Sequence, residues 1–329
     1  MFYRRFSKHK GLPVPDIFAS LLSNLSFAME PSVKYQPRRT ILDRPILIAI
    51  PILIGLFLTR SPFFMSAPTL DAAGGQPWAD SPIQLVTTPQ YETKKTDIFT
   101  TGATHMALLH NAILRGFNSI YQQAPHVEAG DKYDFIGYAL TWHKFVATHH
   151  DDEEATLFPK VEAVLGDKDI WAATHAEHEA FLGGLAEFHA YLRGVENRAA
   201  EFSGEALVGI MDGFRAAFAH HFHSEIATIA GLAAHPSAPK AGSAEEAAAA
   251  ATFRTWGKST VTKAGVLDVV PFFLLNLDGT AEDGMWADWP PIPAPVKWGL
   301  VNIAGAYHSR WWKFSSCAAG RPKKLYALP

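Results

Sequence analysis

Cysteine is almost missing from this chain: its 329 residues include one, Cys317. An intrachain disulfide is therefore excluded, and so is a cysteine-based metal cluster. An excess of one charge is lacking too. The formal net charge is -3, with 19% charged and 48% hydrophobic residues. That is an ordinary globular balance, and it gives a nucleic-acid partner no support. The sequence has no nucleophile motif, no glycine-rich phosphate loop and no dinucleotide fingerprint, which weighs against the common enzyme classes. It has no internal repeat of the solenoid kind.

Long apolar runs are nearly absent as well. The exception is PILIAIPILIGLFL at residues 45–58, preceded by Arg44 and followed by Thr59 and Arg60. A membrane-spanning helix needs about 20 apolar residues. Including residues 61–65, with Arg60 snorkelling, brings residues 45–65 to an adequate length. The basic residues Arg4, Arg5, Lys8, Lys10, Lys34, Arg38, Arg39 and Arg44 precede the run, and Arg60 alone follows it before Lys94. The expectation is a single-pass N-terminal anchor in a membrane, with the basic end on the cytoplasmic side. A mitochondrial address and a secretory signal are the alternatives. Residues 1–44, basic and broken by prolines, are expected to be disordered. Residues 66–97, rich in Pro, Gly, Ala and Thr, read as a linker.

Four periodic segments follow, each with apolar residues at three- and four-residue steps. Met106, His110, Ile113, Phe117 and Ile120 mark the first. Phe135, Ala139, Trp142, Val146, His149, Glu153 and Leu157 mark the second, with Pro159 expected to end it. The third runs through Trp171, His178, Leu182, Leu185 and Leu192 to about Gly194. Leu207, Met211, Phe214, Phe218, His221, Glu225 and Ile229 mark the fourth, stopped by Gly231. With short to moderate connections, the reading is an all-α, up-and-down four-helix bundle over residues 98–235. An Ala-rich stretch, residues 236–254, reads as a spacer, either helical or flexible. Residues 255–329, rich in Pro and Trp, read as an irregular C-terminal arm packed on the bundle.

Histidine is what the chain has in abundance, at fifteen residues, mostly between His105 and His223. In HHDDEEATLFP, His149 and Glu153 are four apart and lie on the apolar stripe, as do His221 and Glu225 in the fourth segment. A carboxylate inside a core is costly unless a cation or a hydrogen-bond partner meets it. His110 and His178 put one further imidazole on the inner face of each remaining helix. A single inward histidine is usually a satisfied core residue. Four helices with one each, two of them carrying a carboxylate one turn on, fit metal binding better. Mixed imidazole and carboxylate donors suit iron, manganese or zinc. His143, His150 and Glu154 form a parallel ladder on the adjacent face, expected beside the site or in solvent. Asp151 and Asp152 are expected to be solvated.

HNAILRGFNSIYQQAPHV, the FP-terminated histidine–glutamate segment, EHEAF and HFHSEI together resemble the fungal hemerythrin-like (HHE cation-binding) proteins, over roughly residues 95–235. The C-terminal pieces DVVPFFLLNLD, WPPIP and WWKFSSC are similar to the tail of that family. The resemblance implies a non-haem, bridged two-iron centre held by His110, His149, Glu153, His178, His221 and Glu225, with both carboxylates bridging. The family commonly has a second histidine four residues after His178, where this chain has Leu182. A mono-iron site is the alternative, with His175, Glu154 or a water completing the donor set. The function implied is binding or sensing of dioxygen, or of nitric oxide, or sequestration of iron. The alternatives are a di-iron oxidase or peroxidase-like enzyme, and a membrane-tethered interaction protein with a structural metal.

Overall fold

The computed structural model describes residues 79–329. The anchor expected at residues 45–65 and the basic stretch before it lie outside the described residues. No helix among the described residues is long and apolar enough to cross a membrane.

Among the described residues nine α-helices succeed one another: α1 Pro89–Thr93, α2 Ile98–Gln123, α3 Lys132–Asp152, α4 Phe158–Leu165, α5 Ala172–Glu196, α6 Gly204–Gly231, α7 Ala244–Ala264, α8 Val269–Leu274 and α9 Ala294–Gly299. A two-stranded antiparallel hairpin, β1 Cys317–Ala318 and β2 Arg321–Pro322, lies near the end. The bundle consists of α2, α3 with its extension α4, α5 and α6. Each packs on the next, and α6 closes the ring against α2.

The helix starts follow from local chemistry. Asp97 accepts from the backbone N–H groups of Phe99 and Thr100 to cap α2, and Ser203 and Ser243 do the same for α6 and α7. Gly166, in the left-handed region at φ 68°, closes α4. Helix α2 is buried on every side from Met106 to Ile120, Asn111 alone being half-buried, because it lies between the other bundle helices and two flanking arms. At Gly116 a Cβ would come within 2.7 Å of the rings of Phe272 and Trp142. The absent side chain lets the C-terminal arm reach the bundle core.

Three expectations change. Pro159 does not end the second bundle helix. The chain passes through one π turn, Glu153–Leu157, in which the Phe158 N–H bonds the Glu153 carbonyl, and then continues as α4. A proline in the first turn after such a turn costs little, since its N–H is not needed there. The C-terminal part of the expected linker is docked: Ile83 and Val86 are buried in the core. Residues 236–254 are no loose spacer either. Helix α7 starts at Ala244 and runs to Ala264, laying Trp256, Val261 and Ala264 onto the bundle. In the C-terminal part, short helices and turns alternate, and Phe272 and Phe314 are fully buried members of the common core.

Two asparagines of α2 hold the docked N-terminal arm, Asn111 at both backbone groups of Val86 and Asn118 nearer its start. Asn118, fully buried, donates from Nδ2 to the carbonyls of Ala79 and Ile83 at 2.7 and 2.8 Å and accepts from the Ile83 N–H at 3.0 Å. Asn118→Ala leaves buried backbone groups without partners, each costing about 1–3 kcal/mol. Chemical denaturation should show a loss of roughly 3 kcal/mol. A variant within about 0.5 kcal/mol of the parent, the range of an ordinary surface change, would mean the arm is not held there.

Candidate metal centre

Six side chains converge in the middle of the bundle: His110 from α2, His149 from α3, Glu153 from the π turn, His178 from α5, and His221 and Glu225 from α6. All are buried, and Glu153 and Glu225 are 0% exposed. They divide into two imidazole pairs. His110 Nε2 is 3.2 Å from His149 Nε2 and 3.2 Å from Glu225 Oε2, and His149 Nε2 is 3.0 Å from Glu153 Oε1. On the other side, His178 Nε2 is 4.0 Å from Glu153 Oε2, and His221 Nε2 is 3.9 Å from Glu225 Oε2. Each carboxylate thus faces one imidazole of each pair. Glu153 belongs to both sets of donor atoms close enough to hold an ion, one with His110 and His149, the other with His178 and His221.

The outer ring nitrogens fix which atoms face inward. His110 Nδ1 lies 3.0 Å from the Phe222 carbonyl, and His178 Nδ1 lies 2.7 Å from Glu154 Oε1. His221 Nδ1 approaches Glu177 Oε2 at 3.4 Å, and that carboxylate also accepts from the Ser224 hydroxyl at 2.6 Å. Such bonds place the proton on Nδ1 and turn the Nε2 lone pair toward the centre. His149 is the exception, because its buried Nδ1 has no partner.

Lone pairs of imidazoles and carboxylates therefore face one another across short gaps. Both oxygens of Glu153, both of Glu225 and Nε2 of His178 are buried without a hydrogen-bond partner. Orphaned acceptors in that number are unfavourable unless a cation gathers them. In the absence of a cation, burial, followed by the charge of Glu225, pushes the Glu153 carboxyl well above its usual range. Burial likewise holds His149 and His221 well below the ordinary histidine value, with the neighbouring imidazoles adding to the effect, and brings His178 down to about 4. Neutral imidazoles are the form that ligates metal. The donor set therefore fits an iron-type ion in charge, atom type and protonation.

Leu182 is 36% exposed. A histidine there would point away from the centre. The position on the inner face one turn from His178 is Thr174, 2% exposed. His175 is half-buried and bonds Glu154 Oε1 through Nδ1 at 2.9 Å, outside the inner cluster. His143 stacks on His189 at 4.3 Å, away from the centre. Asp152 is not solvated: its side chain is largely enclosed and meets Lys263 of α7 at 3.0 Å. Sequence reasoning missed Glu177 and the Phe222 carbonyl. The Glu177–His178 pair in EHEAF was a visible signal, but its contact with His221 crosses between helices.

A family model described as the Hemerythrin HHE cation binding domain matches residues 101–233. The chain is 30% identical over 260 residues to the Dimeric xanthone biosynthesis cluster protein R11 of Cryptosporiopsis sp. (strain 8999), an alignment covering 77% of this chain and 94% of that protein. That alignment is longer than the matched domain, so the likeness extends into the flanking arms. No solved structure matches the chain. With the family model lying over the four bundle helices and the relative covered almost end to end, the chain belongs to the hemerythrin HHE cation-binding family.

Proposed function

We propose that this protein holds a non-haem pair of iron ions at His110, His149, Glu153, His178, His221 and Glu225, and binds dioxygen or a similar diatomic there. The observation that carries this reading is the position of Glu153. One of its oxygens lies 3.0 Å from His149 and the other 4.0 Å from His178, so a single carboxylate serves both imidazole pairs. Glu225 also lies between the pairs, its Oε2 facing both His110, at 3.2 Å, and His221, at 3.9 Å. Two imidazoles and one Glu153 oxygen on each side, with Glu225 shared between them, would leave positions open on an ion that takes six donors. Thr174, buried one turn before His178, brings no imidazole to that place. Ferrous ions in such positions supply the electrons and the free coordination places for a diatomic ligand. The chain's own residues exclude water and polar substrates: the rings of Phe181 and Phe222 pack on His221 and His110. Apolar walls favour a small neutral ligand over an anion.

A second reading, a di-iron oxidase, draws on the name of the relative, a protein of a dimeric xanthone biosynthesis cluster. An oxidase of this kind would spend the oxygen it binds on an aromatic substrate. Anaerobic loading of the full chain with ferrous iron, followed by exposure to oxygen, separates the two. A spectral change reversed by removing oxygen supports binding. Consumption of oxygen with added reductant supports the oxidase. No iron uptake overturns both readings.

A further inference from the structure

The inner centre does not use the second histidine–glutamate pair of the π-turn region. His150 and Glu154 are four residues apart, like His149 and Glu153, but rotated by one position toward α5. Their ligand atoms and those of His178 lie within 4.8 Å of one another. His175, one turn before His178 and a residue on, adds a further imidazole, with Nδ1 2.9 Å from Glu154 Oε1. Glu154 Oε1 therefore receives both His175 and His178, the latter at 2.7 Å.

A hydrogen-bond network that merely orients His178 would account for Glu154. It leaves His150 unexplained: the ring nitrogen Nε2 of His150 is shut away from solvent and has no hydrogen-bond partner. A neutral imidazole nitrogen enclosed in this way beside a carboxylate is an incomplete polar cluster. The cluster is nonetheless reachable, because the side chains of His175 and Glu154 are 44% and 35% exposed. The ring of Phe158, 5.6 Å from that of His175, walls one side.

We propose that His150, Glu154 and His175 form an outer site for a single divalent transition-metal ion, separate from the inner centre and open to solvent. Two imidazoles and a carboxylate are a donor set for zinc, ferrous iron or cobalt, with a fourth place left for water. His150 and Glu154 already have ligand atoms within 4.8 Å of one another, and His175, whose Nδ1 is 2.9 Å from Glu154 Oε1, joins them by turning its exposed ring. His178 keeps its Nδ1–H on Glu154 and its Nε2 toward the interior, so the inner donor set is intact with the outer site filled. This inference does not depend on what the inner centre binds.

The test uses the full chain, loaded with iron and then titrated anaerobically with Co2+ while released iron is monitored. The expected result is one further equivalent of Co2+, with visible d–d absorption and no release of iron. His175→Asn and His150→Gln should each weaken that equivalent by at least about 100-fold, since losing even an outer partner of a ligand costs about 10–100-fold. Iron content should stay at the parental level in both variants, which also shows that they fold. Binding of Co2+ only in exchange for iron would overturn the proposal, as would equal Co2+ binding in the variants and the parent. Should the chain take up no iron, the proposal for the interior fails by itself. The cobalt band and its dependence on His150 and His175, read on the iron-free chain, then still decide the outer site.

Discussion

Glu153→Ala is expected to empty both halves of the inner centre, whereas Glu154→Ala retains iron. Glu153 is the donor shared by the two imidazole pairs, and both of its oxygens are buried without another partner. Removing it would take one oxygen from the His149 side and one from the His178 side and halve the negative charge of the donor set, leaving Glu225 as the sole inner carboxylate. Glu154, by contrast, touches the inner centre only through His178 Nδ1. Its loss frees that ring to reorient, an effect of about 10–100-fold on affinity. Both variants should fold. Deleting a buried carboxylate removes a group that is costly without its cation, so Glu153→Ala is not an unstable protein in its metal-free form. Iron content per chain by elemental analysis, beside the absorption spectrum, distinguishes them. Equal content in the two variants would refute the assignment of Glu153.

The parts of the centre legible in the sequence are those that depend on one helix at a time. His149 with Glu153, and His221 with Glu225, are each four apart and share a stripe with residues such as Trp142, Phe214 and Phe218. The period of the helix alone sends them inward. What crosses between helices was not legible. No spacing reveals that Glu177, on α5, meets His221 on α6, or that the Phe222 carbonyl holds His110. The ligand position counted at Leu182 fails for a different reason, the phase of a single helix. Counting forward from His178 reaches Leu182, yet the helix in place turns that residue outward and Thr174 inward.

Pro159 misled for a local reason. A proline normally stops a helix, but here the π turn at Glu153–Leu157 changes the hydrogen-bond ladder just before it. That turn also carries Glu153 and Glu154 side by side, one directed into the core and the other to α5. The arms were hardest to read, because their packing comes from single long-range contacts, such as Asn118 with Ile83 and Ser119 with the Phe314 carbonyl. A pattern of periodic residues carries no trace of such contacts.

Removing the metal should lower the thermal midpoint by about 5–10 °C near neutral pH. An ion present at 100 times its dissociation constant contributes about 2.7 kcal/mol. In a domain of this size about 1 kcal/mol moves the midpoint by roughly 2–4 °C. The size of the gap should also depend on pH, and the sign follows from the buried groups. In the metal-free chain the Glu153 carboxyl is raised above its ordinary value of 4.5, first by burial and then by Glu225. A raised carboxyl contributes stability that is present below about 4.5 and lost as the pH climbs through its folded value. His149, His178 and His221 are depressed below 6.5, chiefly by burial, with His178 at about 4. Their contribution is present above 6.5 and lost as the pH falls toward 4. The two effects pull in opposite directions, so the metal-free chain is squeezed from both sides. A bound cation relieves the alkaline side, because it neutralises the carboxylates that would otherwise need a proton, and it binds poorly where imidazoles are protonated. Melts with and without chelator should therefore differ least near about pH 5 and most at about pH 8. Coincident midpoints at every pH would mean that Glu153 and Glu225 do not share a cation in the core. A gap of constant size would mean that the inner histidines and Glu153 do not exchange protons for metal.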